Sequence, residues 1–169
     1  MDFATCGLII FAKNEYVQEI LIRQMASGAF KKEYLAIVTG ILKEKKGIIN
    51  KPIARKEGSI IERCISSTGK KAITRYEVLK EFDGISLVKC LLETGRTHQI
   101  RVHFASISHP LLGDSLYGKK TYLIDGQALV CYKLSFIHPI TKEKVKLELS
   151  QTEILQQFID LNNNLQCTK

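Results

Sequence analysis

The spacing of apolar residues predicts three helices along this chain. Residues 14–27 repeat apolar side chains every three to four positions, with Asn14 able to cap the start and Gly28 able to end the helix in a left-handed conformation. A second helix is indicated by three apolar residues at helical spacing: Ile100, Phe104 and Ile107. Thr97 is its predicted N-cap. A capping box at residues 150–153 predicts a last helix.

Runs rich in β-branched and aromatic residues, or alternating in polarity, predict the strands. The predicted strands are residues 7–12, 31–39, 47–53, 72–81, 85–93, 128–137 and 142–149. Residues 54–71 carry many charged side chains with Ser and Gly, which indicates a basic hairpin or loop. In the last strand Val145, Leu147 and Leu149 alternate with charged residues, which predicts one buried and one solvated face.

Strands outnumber helices in this pattern and do not alternate regularly with them. The sequence therefore predicts an α+β fold, with a mixed, mostly antiparallel sheet and flanking helices. No repeat or linker divides the 169 residues, so residues 1–169 are expected to form one domain, with residues 162–169 as a frayed tail.

Charge and cysteine content narrow the functional classes. The chain has 25 Lys and Arg against 17 Asp and Glu, a formal charge of +8, which favours RNA or DNA as partner over an anionic membrane surface. On charge alone, a basic soluble protein without such a partner stays open. Five widely spaced cysteines show no zinc or disulfide spacing and indicate reduced thiols in the cytoplasm. No apolar run reaches the roughly 18 residues of a membrane span.

Candidate chemistry concentrates in residues 91–118. This segment holds three of the four histidines and two arginines: His98, His103, His109, Arg96 and Arg101. Such a cluster is typical of an anion-binding site. No carboxylate joins the histidines at metal-ligand spacing, so hydrogen bonding within the fold or phosphate contact is favoured and no metal site is predicted. The chain has no phosphate-binding loop, dinucleotide fingerprint or zinc-protease motif.

Three motifs, in order, resemble those of the RluA-type pseudouridine synthases. Gly95–Gly118 (GRTHQIRVHFASISHPLLGDSLYG) resembles the family signature nearly position for position. Asp2–Asn14 (DFATCGLIIFAKN) resembles the catalytic loop, with Cys6 in the usual Ser position, and Lys31–Gly40 (KKEYLAIVTG) resembles the tyrosine motif. Two further stretches follow the family pattern: residues 68–78 and 127–149. The resemblance covers essentially the whole chain.

This resemblance implies a cofactor-free isomerase that converts uridine to pseudouridine in ribosomal or transfer RNA. It implies that Asp2 starts cleavage of the bond between base and ribose, that Arg101 pairs with this carboxylate and that Tyr34 stacks on the target base. Whether Asp2 attacks sugar or base, or removes a sugar proton, stays open. RNA contacts are expected from five further residues: Arg96, His98, Gln99, Lys70 and Lys71. For Arg96 and His98, hydrogen bonding within the turn is the alternative.

The chain begins at Met1-Asp2, whereas family members carry His-Arg-Leu before the aspartate. Residues 1–169 are therefore expected to be a partial catalytic domain, truncated at the aspartate motif and lacking early strands, which would leave an exposed sheet edge. Two other interpretations stay open, an RNA-binding remnant without turnover and a basic interaction module unrelated to RNA. The sequence does not indicate an oligomeric state.

Overall fold

A seven-stranded sheet forms the centre of the computed structural model, which describes residues 5–121, 124 and 126–154. Its strands are β1 (Cys6–Gly7), β2 (Lys31–Thr39), β3 (Lys46–Asn50), β6 (Ile73–Phe82), β7 (Ile85–Leu92), β8 (Leu129–Ile137) and β9 (Lys144–Glu148). Strands β4 (Ile53–Arg55) and β5 (Arg63–Ile65) form a separate hairpin. Helix α1 spans Glu15–Ser27 and helix α2 spans Gln99–Ala105.

The strands run in the order β1-β8-β2-β7-β6-β3, and β9 also pairs with β8. The β1–β8 pair is parallel, and the other strand pairs in this sheet are antiparallel. This arrangement confirms the predicted α+β fold with a mixed, mostly antiparallel sheet. Strands β2 and β7 lie at its centre, so the residues they carry are held by neighbours on both sides.

The core forms where α2 packs against the centre of the sheet. Ile100 and Phe104 of α2 are buried there, and Ile107, just beyond the helix end, packs against the same cluster. The sheet contributes Ala36, Val38, Ile49, Val88, Cys90 and Leu129. The predicted apolar spacing of the α2 segment is therefore confirmed, and this packing fixes the helix that carries Arg101.

Helix α1 packs at the other end of β8, in a second buried cluster. Leu21 of α1 lies there with Phe30 and Phe136, whose stacked rings have centroids 5.4 Å apart. The predicted caps of α1 are confirmed, because Asn14 Oδ1 accepts a hydrogen bond of 2.9 Å from the helix start and Gly28 has φ of 76°. In the described residues no helix has the length and apolar character needed to cross a membrane.

Three local predictions are wrong. Thr97 does not cap α2; the N-cap is His98, in a left-handed conformation (φ 56°) and without a side-chain cap bond. The predicted strand 7–12 is paired only at Cys6–Gly7, and Phe11 is 78% exposed, because the side chains beyond Gly7 alternate between core and solvent without a paired neighbour strand. Residues 47–53 are divided between β3 and β4, with Pro52, which has no N–H to donate, between them.

The remaining predictions have mixed outcomes. Residues 54–71 contain the β4–β5 hairpin except for its first residue, Ile53, which agrees with the predicted hairpin or loop. Leu147 in β9 is 44% exposed, so that face is less buried than its alternation predicts. The capping box is confirmed, because Ser150 N–H donates to Glu153 and Glu153 N–H donates to Ser150 Oγ. The rest of the predicted last helix, from Leu155, and the predicted tail 162–169 lie outside the described residues.

Candidate active site

A cleft of about 430 Å³ opens where the start of α2 meets β2, β7 and β8. It is lined by Thr5, Lys32, Tyr34, Leu92, Gly95, Arg96, Thr97, His98, Gln99, Ile100, Arg101 and Leu129. Tyr34 and Arg101, two of the residues predicted to be catalytic, are thus brought together from separate parts of the chain. Asp2, the third, lies outside the described residues.

Tyr34 projects from the middle of β2 and is half-buried between the two core clusters. Burial raises the pKa of its hydroxyl well above the ordinary value, and the neighbouring Cys131 thiol adds to this. The hydroxyl is therefore protonated at neutral pH. Its position supports both packing in the core and a ring that faces the cleft.

Arg101 is buried, at 6% exposure, and its guanidinium is fixed by Asp114. Nε donates to Asp114 Oδ2 at 2.7 Å and Nη2 donates to Asp114 Oδ1 at 2.6 Å. Asp114 is fully buried and also accepts from the backbone N–H groups of Leu116 and Tyr117. Two-point pairing fixes the guanidinium plane as well as its position. The predicted pairing of Arg101 with Asp2 stays a prediction.

Gln99 organises the loop before α2 from inside the fold. It is only 2% exposed. Its Oε1 accepts from Thr94 Oγ1 and from Arg96 N–H, while Nε2 donates to Ile73 O and Thr74 Oγ1. These bonds tie the loop to β6. The observed role of Gln99 is to position that loop, and the prediction that it contacts RNA gains no support from this geometry.

His98 lies at the rim of the cleft, where its Nδ1 is 2.7 Å from the Tyr117 hydroxyl. The same hydroxyl accepts a hydrogen bond of 2.8 Å from Arg63 N–H, at the start of β5. The Tyr117 ring lies 5.1 Å from Arg101 Cζ, a cation–π distance. Hydrogen bonding within the fold, one of the two roles open for His98, is therefore observed.

The other two central histidines have structural roles. His103 is fully buried, with Nε2 2.9 Å from Lys51 O and Nδ1 2.9 Å from Thr74 Oγ1. Burial lowers the pKa of His103, which favours the neutral ring. His109 Nδ1 lies 2.8 Å from Thr39 O. Within the described part of the chain, no three potential ligands are grouped to hold a metal ion.

Exposed basic residues lie beside the cleft. Arg96 is exposed, and its Nε donates to Lys71 O at 3.0 Å, so the segment with Lys70 and Lys71 adjoins the rim. Lys32 lines the cleft from β2. Of the five predicted RNA-binding residues, Arg96, His98 and Gln99 line the cleft, whereas Lys70 and Lys71 are exposed next to it.

Sequence reasoning did not assign roles to Asp114 and Tyr117. Both belong to the turn Gly113–Gly118, at the end of the signature-like segment. The available signal was a carboxylate three residues before a tyrosine, in a turn bounded by glycines and following the arginine-bearing helix. Only the folded chain shows that these two side chains meet Arg101 and His98.

Comparisons with known proteins all find similarity to RNA pseudouridine synthases. The model of the RNA pseudouridylate synthase family matches residues 1–106. The chain is 45% identical over 150 residues to the uncharacterized RNA pseudouridine synthase YhcT of Bacillus subtilis, covering 88% of this chain and 50% of that protein. It is 40% identical over 148 residues to ribosomal large subunit pseudouridine synthase D of Nitrosomonas europaea, covering 82% and 43%.

The fold has a solved counterpart in human RNA pseudouridylate synthase domain containing 1. The TM-score is 0.74 at 26% identity, and the match covers 94% of this chain and 78% of that one. The chain spans about half the length of the curated relatives that it matches.

Proposed function

Because this chain belongs to the RNA pseudouridylate synthase family, we propose that it forms the catalytic part of an enzyme that isomerises uridine in RNA to pseudouridine without a cofactor. The observation that carries this proposal is the shared cleft of Tyr34 and Arg101. A buried, oriented guanidinium and a protonated tyrosine at one opening suit a reaction that needs an ionised carboxylate and a base held in place.

The proposed carboxylate is Asp2. Support comes from Thr5, which follows Asp2 by three residues and lines the cleft. Three residues of extended chain span at most about 11 Å, a reach that suits a carboxylate acting beside Arg101. An aspartate is anionic at neutral pH and serves as nucleophile or base, and both roles stay open here.

The proposed reaction breaks the bond between N1 of uracil and C1′ of ribose and forms a bond between C5 and C1′. The hydrogen on C5 leaves as a proton and N1 gains a proton, so no redox partner is required. Arg101 would hold the Asp2 carboxylate ionised and aimed, and Tyr34 would stack on the base. The target base must leave its helical stack to reach the cleft, at a cost of a few kcal/mol that stacking on Tyr34 partly offsets.

We propose ribosomal RNA as the substrate, because relatives such as that of Nitrosomonas europaea are named as ribosomal large subunit pseudouridine synthases. Transfer RNA is the second substrate class to test. Arg96, Lys70 and Lys71 are proposed to contact phosphates, which the formal charge of +8 supports. Free thiols at Cys64, Cys90 and Cys131 suit the cytoplasm, the proposed location.

The second candidate is RNA binding without turnover. The observation that favours it is coverage, since the chain spans about half the length of its curated relatives. In that case the basic residues beside the cleft, Arg96, Lys70 and Lys71, would bind RNA. Catalysis would depend on segments that these relatives have in addition.

Tritium release from RNA labelled at uracil C5 separates these candidates, since only isomerisation frees that hydrogen. The substrates are in vitro transcripts of bacterial large-subunit ribosomal RNA and of transfer RNA. This chain is compared with a version extended at its N terminus by the corresponding segment of the Bacillus subtilis relative. Release by this chain establishes the synthase. Release only by the extended version supports the second candidate for this chain, and release by neither removes the catalytic proposal.

A further inference from the structure

Tyr117 joins three parts of the molecule that are separate in sequence. Its hydroxyl accepts from Arg63 N–H in the β4–β5 hairpin and lies 2.7 Å from His98 Nδ1 at the cleft. Its ring lies against the Arg101 guanidinium, with 5.1 Å between Cζ and the ring centroid. One half-buried side chain thus contacts the hairpin, the cleft rim and the buried arginine.

The contacts with His98 and Arg101 fall on one side of the start of α2. Residues three apart are neighbours on a helix surface, and His98 and Arg101 are the N-cap and a first-turn residue. Asp114 contacts the same arginine, and its Oδ1 accepts from Tyr117 N–H at 3.1 Å. The turn Gly113–Gly118 therefore supports the first turn of α2 through the side chains of Asp114 and Tyr117, and the Asp114 carboxylate also holds the Tyr117 backbone.

The hydrogen bonds at the hydroxyl have a consistent direction. Arg63 N–H can only donate, so the Tyr117 oxygen accepts there, and its own hydrogen can be donated to His98 Nδ1. Burial raises the pKa of Tyr117, which keeps this hydrogen in place at neutral pH. In the tautomer that matches this direction, His98 Nδ1 is the acceptor and the other ring nitrogen carries the hydrogen.

We propose that Tyr117 is a positioning residue that transmits the position of the β4–β5 hairpin to His98 and Arg101 in the cleft. The hairpin carries the exposed basic residues Arg55 and Lys56, which can hold RNA. RNA bound to the hairpin is then coupled to the arrangement of the cleft through the Tyr117 hydroxyl. This inference rests on the proposed function for its catalytic consequence, whereas the contact itself is testable without RNA.

The test uses Tyr117→Phe, which removes the hydroxyl and keeps the ring against Arg101. Tyr132→Phe is the matched control, because Tyr132 also donates its hydroxyl, to Glu33, and does not line the cleft. In protein labelled with ¹⁵N-histidine, the His98 Nδ1 resonance of the wild type should be that of a hydrogen-bonded acceptor. It should move in Tyr117→Phe and stay in Tyr132→Phe. An Nδ1 resonance unchanged in Tyr117→Phe overturns the contact.

The catalytic arm measures tritium release from the ribosomal RNA transcript at saturating RNA, at a temperature where each variant is folded. Tyr117→Phe should lower kcat about tenfold, the factor for one lost hydrogen bond, with a smaller change in KM. His98→Gln should cost much less in the Tyr117→Phe background than in the wild type, because the two residues act as one unit.

Wild-type kcat in Tyr117→Phe, or independent effects of the two substitutions, overturns the positioning role. The same conclusion follows if Tyr132→Phe lowers kcat as much, since the loss is then not specific to the cleft. If neither the wild type nor its extended version releases tritium, the proposed function fails, and the His98 resonance still decides whether the hydroxyl contact exists.

Discussion

Asp114 holds Arg101 by two parallel hydrogen bonds, from Nε at 2.7 Å and from Nη2 at 2.6 Å, with both side chains nearly inaccessible to water. A buried guanidinium and a buried carboxylate are each costly alone, and their pairing offsets that cost. Asp114 engages the Nε–Nη2 edge, so the Nη1 side of the guanidinium lies away from it.

Removing either partner of this pair should destabilise the fold. Arg101→Met keeps most of the aliphatic length but leaves the Asp114 charge buried, and we expect a loss of about 3–5 kcal/mol in the free energy of unfolding. The double variant Arg101→Met, Asp114→Leu should lose less than the sum of the single effects. Urea unfolding of the four proteins measures this, and additive losses would contradict the coupling.

Gly69 lies against the backbone at the base of the β4–β5 hairpin, where a side chain has no room. A Cβ there would lie 2.5 Å from Ile53 C and 2.8 Å from Ala54 N. Gly69→Ala should therefore lower the free energy of unfolding by about 1–3 kcal/mol, as overpacking does. Gly95→Ala is the control, because its Cβ meets nothing within 4 Å. Equal melting temperatures for the two variants would contradict this, because they would show that the backbone at the hairpin base shifts to make room for the Cβ without loss of stability.

Lys70 and Lys71 lie beside the cleft and are expected to neutralise RNA phosphates. Replacing both by Ala should weaken binding of the ribosomal RNA transcript. It should also lower the slope of log Kd against log salt concentration by about 1 to 2, because one or two phosphate contacts are lost. The control replaces Lys144 and Lys146, also exposed but on β9 and away from the cleft lining. The measurement is Kd against salt concentration. An equal change in both double variants would indicate an effect of net charge alone.

Glu77 should contribute stability that acid removes. Hydrogen bonds and charge from Lys46 and Lys89 lower the pKa of its carboxyl to about 2. The unfolded chain binds the proton near the ordinary value of 4.5, so the contribution is complete above that pH and is lost as the pH falls towards 2. The stability difference between wild type and Glu77→Gln should therefore shrink between about pH 5 and pH 2. A difference independent of pH would contradict this.

Local signals predicted most of the elements of the fold. Helix α1 and its caps follow from Asn14, the apolar spacing and Gly28, all of which act within a few residues. Strands β2, β7 and β8 follow from runs of β-branched and aromatic residues, and they lie within one or two residues of the predicted bounds. The resemblance to a family supplied the candidate residues Tyr34 and Arg101, which the structure brings to one cleft.

What the sequence could not provide depends on contacts between distant segments. Thr97 has a good capping side chain, but the hydrogen bonds of Gln99 to the loop and to β6 set the start of α2 one residue later. The pairing of Arg101 with Asp114, across 13 positions, has no periodic signature. Nothing local distinguished the buried amide of Gln99 from one that contacts RNA.

The proposed isomerisation depends on the carboxylate of Asp2, and the variant Asp2→Asn removes its charge while keeping its size. Tritium release from C5-labelled ribosomal RNA and the Kd for the same RNA are measured for this chain and for the variant, or for both in the extended form if only that form is active. We expect release to be lost in Asp2→Asn while Kd is unchanged or slightly lower, because the substitution removes a chemical group and a negative charge. Release at the wild-type rate in Asp2→Asn would contradict it.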